Sequence, residues 1–525
     1  MEQNDLINIM NQRKILFNQM IEKSEEHLGL NNLELSSLYC QIAADYVSYS
    51  HAGFFYSNKL EEILSEISLK VIKNDKLDRS KNKIQKVLHI ASELYAVGGH
   101  TRLLQNWINY DVGRYNELVI TNQTMEESPK QIIEELAEKG ITVTFLKGKS
   151  EGILSRAIDL VSIAKEFDAV VLHIHSYDVI PLIAFSNSQI PVLLMNHADH
   201  RFWIGRSISN MVLELRETGK SLSMKRRLIS PENQSILPIP LKGPVEITKE
   251  KARKALSINS DDFVIFSVAS SYKYKPLHDG GLGEVLLPLV NRYSNLKALI
   301  VGPNHSEEYW KDLSKKSNGK IQALGIKPHV DYYYKASDLY LDSYPVSSLT
   351  SLLDAGKYSL PIFSLEKGSK GLDLDDISLD QLNYKSGSLK ELYESLQMYI
   401  EDEKKREEFG NQCFDEISKY HLNPGWVGIL DEIFNKVLNT GKIRKEEDTS
   451  KIIDKFDYPL VYMHHKHKSK EYELLSSFSN SFVLFPFSEK LGYIPAIVKT
   501  ATKEPKIGKL LLPNGVKKIL KKLMT

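Results

Sequence analysis

The chain is 525 residues long, 42% apolar and 26% charged, with a formal net charge of +1. That length is too great for one ordinary core and predicts two domains with extensions, while the composition is that of a globular protein in water. The near-zero charge excludes a duplex-DNA binder working by broad phosphate neutralisation, so no nucleic-acid partner is expected.

The N-terminus, MEQNDLINIMNQRK, has neither the basic start nor the unbroken apolar run of a signal peptide, and no later stretch reads as long and apolar enough to span a bilayer. Cys40 and Cys413 stand far apart, without His or Cys at zinc spacing. This argues against a disulfide framework and for a reducing compartment, so a cytoplasmic protein is expected, at most peripheral to the inner face of a membrane.

Residues 1–85 place Leu and Ile at helical spacing among charges and read as a helical N-terminal extension. From Lys86 short apolar strands alternate with amphipathic helices: VLHIAS at 87–92, ELVIT at 117–121, ITVTFL at 141–146, AVVLHIH at 169–175 and PVLLMNH at 191–197. This alternation predicts a parallel, doubly wound sheet in a domain spanning 86–240. ILPIPLKGP at 236–244 holds three prolines and reads as a connector. A second series follows, with FVIFSVAS at 263–270, KALIVGP at 297–303, KIQALG at 320–325, DLYLDSYP at 338–345 and LPIFSL at 360–365, and defines a domain over 241–438 closed by helices from about 388. No G-x-G-x-x-G follows the first strand, which disfavours a nicotinamide cofactor.

Residues 439–525 form a C-terminal extension. Its last segment, 503–525, carries seven Lys and one Glu, and the apolar residues among those lysines suit contact with an anionic membrane surface, although Pro513 and Gly515 limit any helix there to a short one. The HHKHK run at 464–468 lies outside both strand series and reads as surface.

The most informative segment is DLYLDSYPVSSLTSLLDAG at 338–356. Leu339, Tyr340 and Leu341 continue a buried strand and Pro345 stops it. Ser347, Ser348, Thr350 and Ser351 then crowd the start of a helix, where unpaired N–H groups and the positive dipole end would meet a phosphate. Asp354 follows Thr350 by four positions, so both fall on one helix face. The carboxylate could accept two hydrogen bonds from ribose hydroxyls while the threonine meets phosphate oxygens. The same residues would also serve a plain helix start, with Ser347 or Ser351 as the cap.

Other candidates sit at strand ends. Gly98 and Gly99 precede His100 and a helix, and would let backbone approach a ligand. His175 ends AVVLHIH, with His173 on the same strand face. His197 and Asp199 follow the next strand in NHADHRFW, a His-x-Asp able to supply a base and a carboxylate that orients it. His173 and His200 read as core and surface respectively. Ser270 ends the first strand of the second series, with Lys273 and Lys275 behind it, where a lysine would neutralise a departing diphosphate. Gly302 ends the next strand.

The 338–356 segment resembles the sugar-nucleotide site of GT-B glycosyltransferases. It is most similar to the O-linked N-acetylglucosamine transferase family, in which two adjacent hydroxyl residues precede a ribose-binding Asp by three positions, here Thr350, Ser351 and Asp354. In retaining glycosyltransferase family 4, two glutamates flank seven residues; Asp354 falls on the second, but Val346 occupies the first, so the chain departs from that pattern. The resemblance implies an α/β GT-B fold with two Rossmann-like domains facing a cleft. It also implies a nucleotide-diphosphate sugar donor, UDP-linked, and a glycan, lipid-linked glycan or protein hydroxyl as acceptor. Its Gly-Gly loop would put Gly99 near the transferred sugar, and GIKPHVDYYYKASD at 325–338 would put His329 and Val330 near the nucleobase. GT-B transferases generally do without an essential metal, so neither metal nor cofactor is expected, and a His base (His100, His175 or His197) points to inversion. A nucleotide-sugar epimerase or a non-catalytic nucleotide-sugar scaffold would use the same two halves.

Overall fold

The computed structural model describes residues 3–72, 83–96, 99–147, 152–276, 280–365, 379, 382–444, 453–454, 456–464, 470–478, 482, 485–503, 505–508 and 510. Most of the basic tail and of the HHKHK run, together with Gly98, lies outside these residues.

Two parallel sheets organise the chain. The first contains β1 (Lys86–Ala91), β2 (Tyr115–Ile120), β3 (Val143–Phe145), β4 (Ala169–His173), β5 (Val192–Met195), β6 (Met211–Glu214) and β7 (Gln234–Ile236), in the order β3-β2-β1-β4-β5-β6-β7. The second contains β8 (Phe263–Val268), β9 (Leu296–Val301), β10 (Ile321–Ala323), β11 (Leu339–Leu341), β12 (Ile362–Leu365) and β13 (Lys385–Ser386), in the order β10-β9-β8-β11-β12-β13. Each is doubly wound, and strand order reverses between β1 and β4 and between β8 and β11. Crevices at the carboxyl ends of such reversals are where open α/β sheets bind ligands.

The sequence reading missed β6, β7 and β13. MVLE and QSI are short, and β7 runs straight into the proline connector, so Ile236 belongs to a strand as well as to the start of the linker. Their strand character comes from pairing in register with β5 and β6, such as Leu194 with Val212 and Leu213 with Ser235, and period alone does not reveal that.

Because β-strand side chains alternate, the first sheet feeds cores on both of its faces. Val87, Val171 and Leu193 share one with Trp107 and the second sheet's apolar residues. Leu88, Ile90, Val170 and Leu172 share the other with the N-terminal helices. Those helices are α1 (Gln3–Gly29), α2 (Leu33–Tyr49) and α3 (Asn58–Val71). α1 and α2 approach closely through Ser24 and Ser36, whose hydroxyls each donate to the other's carbonyl at 2.8 Å. Small hydroxyl residues permit this approach and satisfy their own polar groups.

The C-terminal extension packs on the same helices. Glu473 accepts from Arg13 at 2.8 Å, Glu489 accepts from Tyr39 at 2.6 Å, and the buried Asp457 is held by His51 at 2.7 Å and Arg226 at 2.9 Å. The described parts of the two extensions therefore form one buttress on the face of the first sheet that carries Leu88, Ile90, Val170 and Leu172. The helix Gly425–Val437 also returns to the first sheet's side: Trp426 donates to the Pro238 carbonyl at 2.6 Å and meets Trp107 edge-on at 5.6 Å. Among the described residues no helix is long and apolar enough to cross a membrane.

Candidate active site

Asp342 directly follows β11, and this buried carboxylate, which the sequence reading did not single out, organises the hydroxyl-rich loop. It accepts from the Ser347 hydroxyl at 2.6 Å, the Ser348 N–H at 3.0 Å, the Ser348 hydroxyl, and the Ser364 hydroxyl of β12 at 3.5 Å. The expectation that Ser347 and Ser348 present hydroxyls to a phosphate is corrected: both face inward, because a carboxylate taken out of water needs donors. An Asp at a strand end followed by serines is the signature of such a local turn, and DSYPVSS carries it.

The alternative reading, a helix capped by Ser347 or Ser351, is not met either. Leu349 occupies the N-cap position of the helix Thr350–Gly356 with φ +54°, and no side chain caps it. Thr350 and Ser351 thus open the helix, and its first N–H groups have no intrahelical partner.

Asp354 is buried between two cations. Its Oδ1 accepts from Lys357 at 2.9 Å and its Oδ2 accepts from Arg102 at 3.2 Å. Arg102 comes from α4 (Gly99–Tyr110), which follows β1, so this pair joins the loops of the two sheets across the cleft. The Arg102 side chain is 51% exposed, and an ion pair that wet is worth no more than about 1 kcal/mol, so an incoming ribose could take its place cheaply.

Three further loops converge at the carboxyl ends of the second sheet. Lys273 donates to the Ser347 carbonyl at 2.7 Å, and the Val346 N–H donates to the Lys273 carbonyl at 3.3 Å, which stitches the β8 loop to the β11 loop. Ser270 and Lys275 are exposed beside them. Gly302 directly follows β9 at φ +118°, where a Cβ would lie 1.8 Å from the Ala269 carbonyl oxygen. His329 is exposed at φ +55° just beyond β10, and Val330 packs against the core.

On the opposite wall, histidines form a chain. His89 in β1 bonds Asn116 at 3.1 Å and His173 at 3.2 Å, and His173 bonds His197 at 3.2 Å. The His100 ring, from the first turn of α4 behind the exposed Gly99, lies 4.1 Å from that of His197, and its two nitrogens are buried without hydrogen-bond partners. Burial holds His89 and His100 near 4 and His173 and His197 well below 6.5, so these rings are neutral bases at neutral pH.

His175 is set apart, between Tyr177 at 3.0 Å and Tyr95 at 3.3 Å, with Tyr95 stacked on its ring. His173, read from sequence as plain core, is buried but joined to the cleft histidines. His89, Asn116, Arg102 and Tyr95 were not recognised in the sequence. The available signal for His89 was a titratable residue in the middle of VLHIAS, a strand apolar on both faces.

The expected His197–Asp199 pair does not form. Asp199 instead accepts from Arg216 at 2.6 Å and contacts His200 at 3.2 Å. Burial opposes its ionisation, yet the His200 contact and the Arg216 guanidinium hold the carboxyl well below its ordinary range. Asp199 is thus locked into the wall of the cleft and does not orient His197.

Nearby, Glu214 at the end of β6 accepts from Asn196 at 2.9 Å, and burial pushes its carboxyl up to about 7. Folding therefore favours the protonated form. The stability Glu214 contributes is present below its ordinary value of 4.5 and is lost as pH rises through 7. Glu214→Gln should consequently gain roughly 2 kcal/mol relative to wild type between about pH 5 and pH 8, read from urea midpoints. A difference that stays constant with pH would show that Glu214 ionises normally.

No protein-family model and no curated protein sequence matches the chain. Solved structures do match in fold. A glycosyltransferase from Rickettsia africae aligns at 13% identity and TM-score 0.53, covering 68% of this chain and 100% of its own. The Anabaena protein HepE in complex with UDP aligns at 14% identity and TM-score 0.50, covering 66% of this chain and 98% of its own. The chain has the GT-B-like fold, two Rossmann-like domains with extensions at both ends.

Proposed function

We propose that this protein transfers a sugar from a nucleotide-diphosphate sugar to a hydroxyl group. One observation carries the reading. The Arg102–Asp354 ion pair ties the helix Thr350–Gly356 to α4, whose first turn also carries His100, a neutral ring packed against that of His197. In this reading residues 86–240 hold the acceptor, 241–438 hold the donor, and the buttress formed by the described parts of the N- and C-terminal extensions supports the acceptor side.

Asp354 would take the ribose hydroxyls, and Thr350 and Ser351, with the open helix start, the diphosphate. Lys273 or Lys275 would meet the charge that develops on the leaving group, and the backbone at Gly302, His329 and Val330 would border the nucleoside. His197, with His100 or His175 as alternatives, would accept the proton from the acceptor hydroxyl. As that oxygen attacks the anomeric carbon, the bond to the diphosphate breaks on the opposite face, which inverts the centre. A neutral histidine in place of a carboxylate nucleophile supports inversion without a metal. The relative crystallised with UDP supports a uridine donor. Tyr95 and Tyr177, beside His175, and Tyr49 at the end of α2, with Arg201 over its ring at 4.9 Å, supply aromatic surface for a glycan acceptor, free or lipid-linked, or for a protein. The lysines of 503–525 would bring the enzyme to an anionic membrane.

The test is thermal stabilisation by UDP, GDP, ADP and CMP of wild type and Asp354→Ala. A single diphosphate at a hundredfold excess over its dissociation constant should add about 2.7 kcal/mol to the wild type and nothing to the variant. No shift with any of the four would reject the reading.

A further inference from the structure

The histidine chain has a direction, and Asn116 sets it. The Asn116 amide nitrogen donates to the carbonyls of Asp111 at 2.9 Å and Arg114 at 3.1 Å. With both amide hydrogens committed, the side-chain oxygen faces His89, so His89 Nε2 must carry a hydrogen to make the 3.1 Å bond. The ring is neutral, which leaves its Nδ1 bare. The 3.2 Å contact from that Nδ1 to His173 Nε2 then requires the hydrogen on His173, and His173 Nδ1 is bare in turn. The last 3.2 Å bond, to His197 Nε2, takes its hydrogen from His197. Each ring's state follows from the one behind it, because a neutral imidazole offers one donor and one acceptor. His197 is the last ring of the chain, half-buried, with the His100 ring 4.1 Å from its own.

We propose that Asn116, His89 and His173 are positioning residues that hold His197 with its hydrogen on Nε2 and its lone pair on Nδ1, making Nδ1 the atom that takes the acceptor's proton. The inference rests on the transferase reading for its use, and on the hydrogen-bond geometry together with the burial that keeps these rings neutral for the state of the ring. In the step itself the acceptor O–H bond breaks, an N–H bond forms at Nδ1, and the imidazolium keeps its Nε2 bond to His173. The proton cannot be handed to the far end of the chain, because an amide oxygen does not hold it, so it leaves by the cleft. The titratable neighbours acting on His197 are His100, His173 and His175, and none supplies a carboxylate to compete for that role.

The experiment is ring-nitrogen NMR on the full-length protein labelled with ¹⁵N-histidine, with His197 assigned from the signals lost in His197→Gln. Wild type should show a bare Nδ1 and a protonated Nε2. Asn116→Leu removes the acceptor for His89 and should shift His197 toward the opposite tautomer, to at least half the population. Asn116→Asp loses the same two amide bonds but keeps an acceptor facing His89, so it should retain the wild-type pattern. A merely structural role would move the two variants alike, and that result would overturn the proposal. So would a wild-type His197 protonated on Nδ1, a result that needs neither variant to fold. No substrate is required, so failure of the chain shows in the spectrum even where nucleotide binding is intact. Failure of the transferase reading shows in the nucleotide shifts and leaves the ring nitrogens as described.

Discussion

Asp342→Ala should destabilise the protein by about 3–4 kcal/mol and, on the proposed transferase reading, abolish nucleotide binding. The carboxylate lies at the end of β11, where Ser347, Ser348 and Ser364 all donate to it. Alanine leaves one backbone N–H and three hydroxyls without their acceptor. The hydroxyls can rotate toward other partners or admitted water, at a cost of about 1 kcal/mol each, but the Ser348 N–H cannot turn. The functional loss is expected to exceed the loss of stability, because the Ser347 carbonyl that anchors Lys273 is positioned by the same turn. Urea denaturation reads the first effect and calorimetric titration with UDP the second. An unchanged midpoint would show that the loop holds its shape without the carboxylate. Asp342→Asn should fall between the two, since one acceptor oxygen remains while the amide hydrogens confront groups that also donate.

Gly302→Ala should cost more than about 3 kcal/mol, through two separable effects. The residue sits at φ +118°, which side chains rarely adopt, and its Cβ would stand 1.8 Å from the Ala269 carbonyl oxygen. Since the obstacle is backbone, no rotamer relieves it. Either β9 or the end of β8 must move, and Ser270 and Lys273 move with the latter. Gly319→Ala is the control: its φ is +78° with no atom within 4 Å, so it should show the conformational penalty alone, about 1 kcal/mol. Equal thermal shifts in the two variants would rule out the close approach as the reason for glycine at 302.

The two strand series were legible because buried parallel strands are continuous apolar runs, and VLHIAS, AVVLHIH and FVIFSVAS carry that signal without help from neighbours. The positions of Gly302 and Lys273 after strands and of Asp354 one turn into a helix were legible because strand ends and helix starts have a chemistry of their own. The orientation of side chains within the loops was not. Ser347 and Ser348 look the same in sequence whether they face a ligand or a buried Asp342, and only the closure of β11 against β12 decides. Asp199 follows His197 by two residues, yet it belongs to Arg216, seventeen residues on, because β5 and β6 lie side by side.

Local pattern alone therefore settled that the chain forms two doubly wound halves, with a proline-rich stretch running between them. These properties depend on residues close in sequence, whose spacing matches the helical or extended period. Tertiary structure alone decided the pairing of charges and rings. Arg102 with Asp354, the line from Asn116 to His197, and the meeting of the two chain ends at Arg13, Tyr39 and His51 all join residues distant in sequence. A hydrogen bond or ion pair takes its partner from position in space, and packing of the two sheets supplies that position.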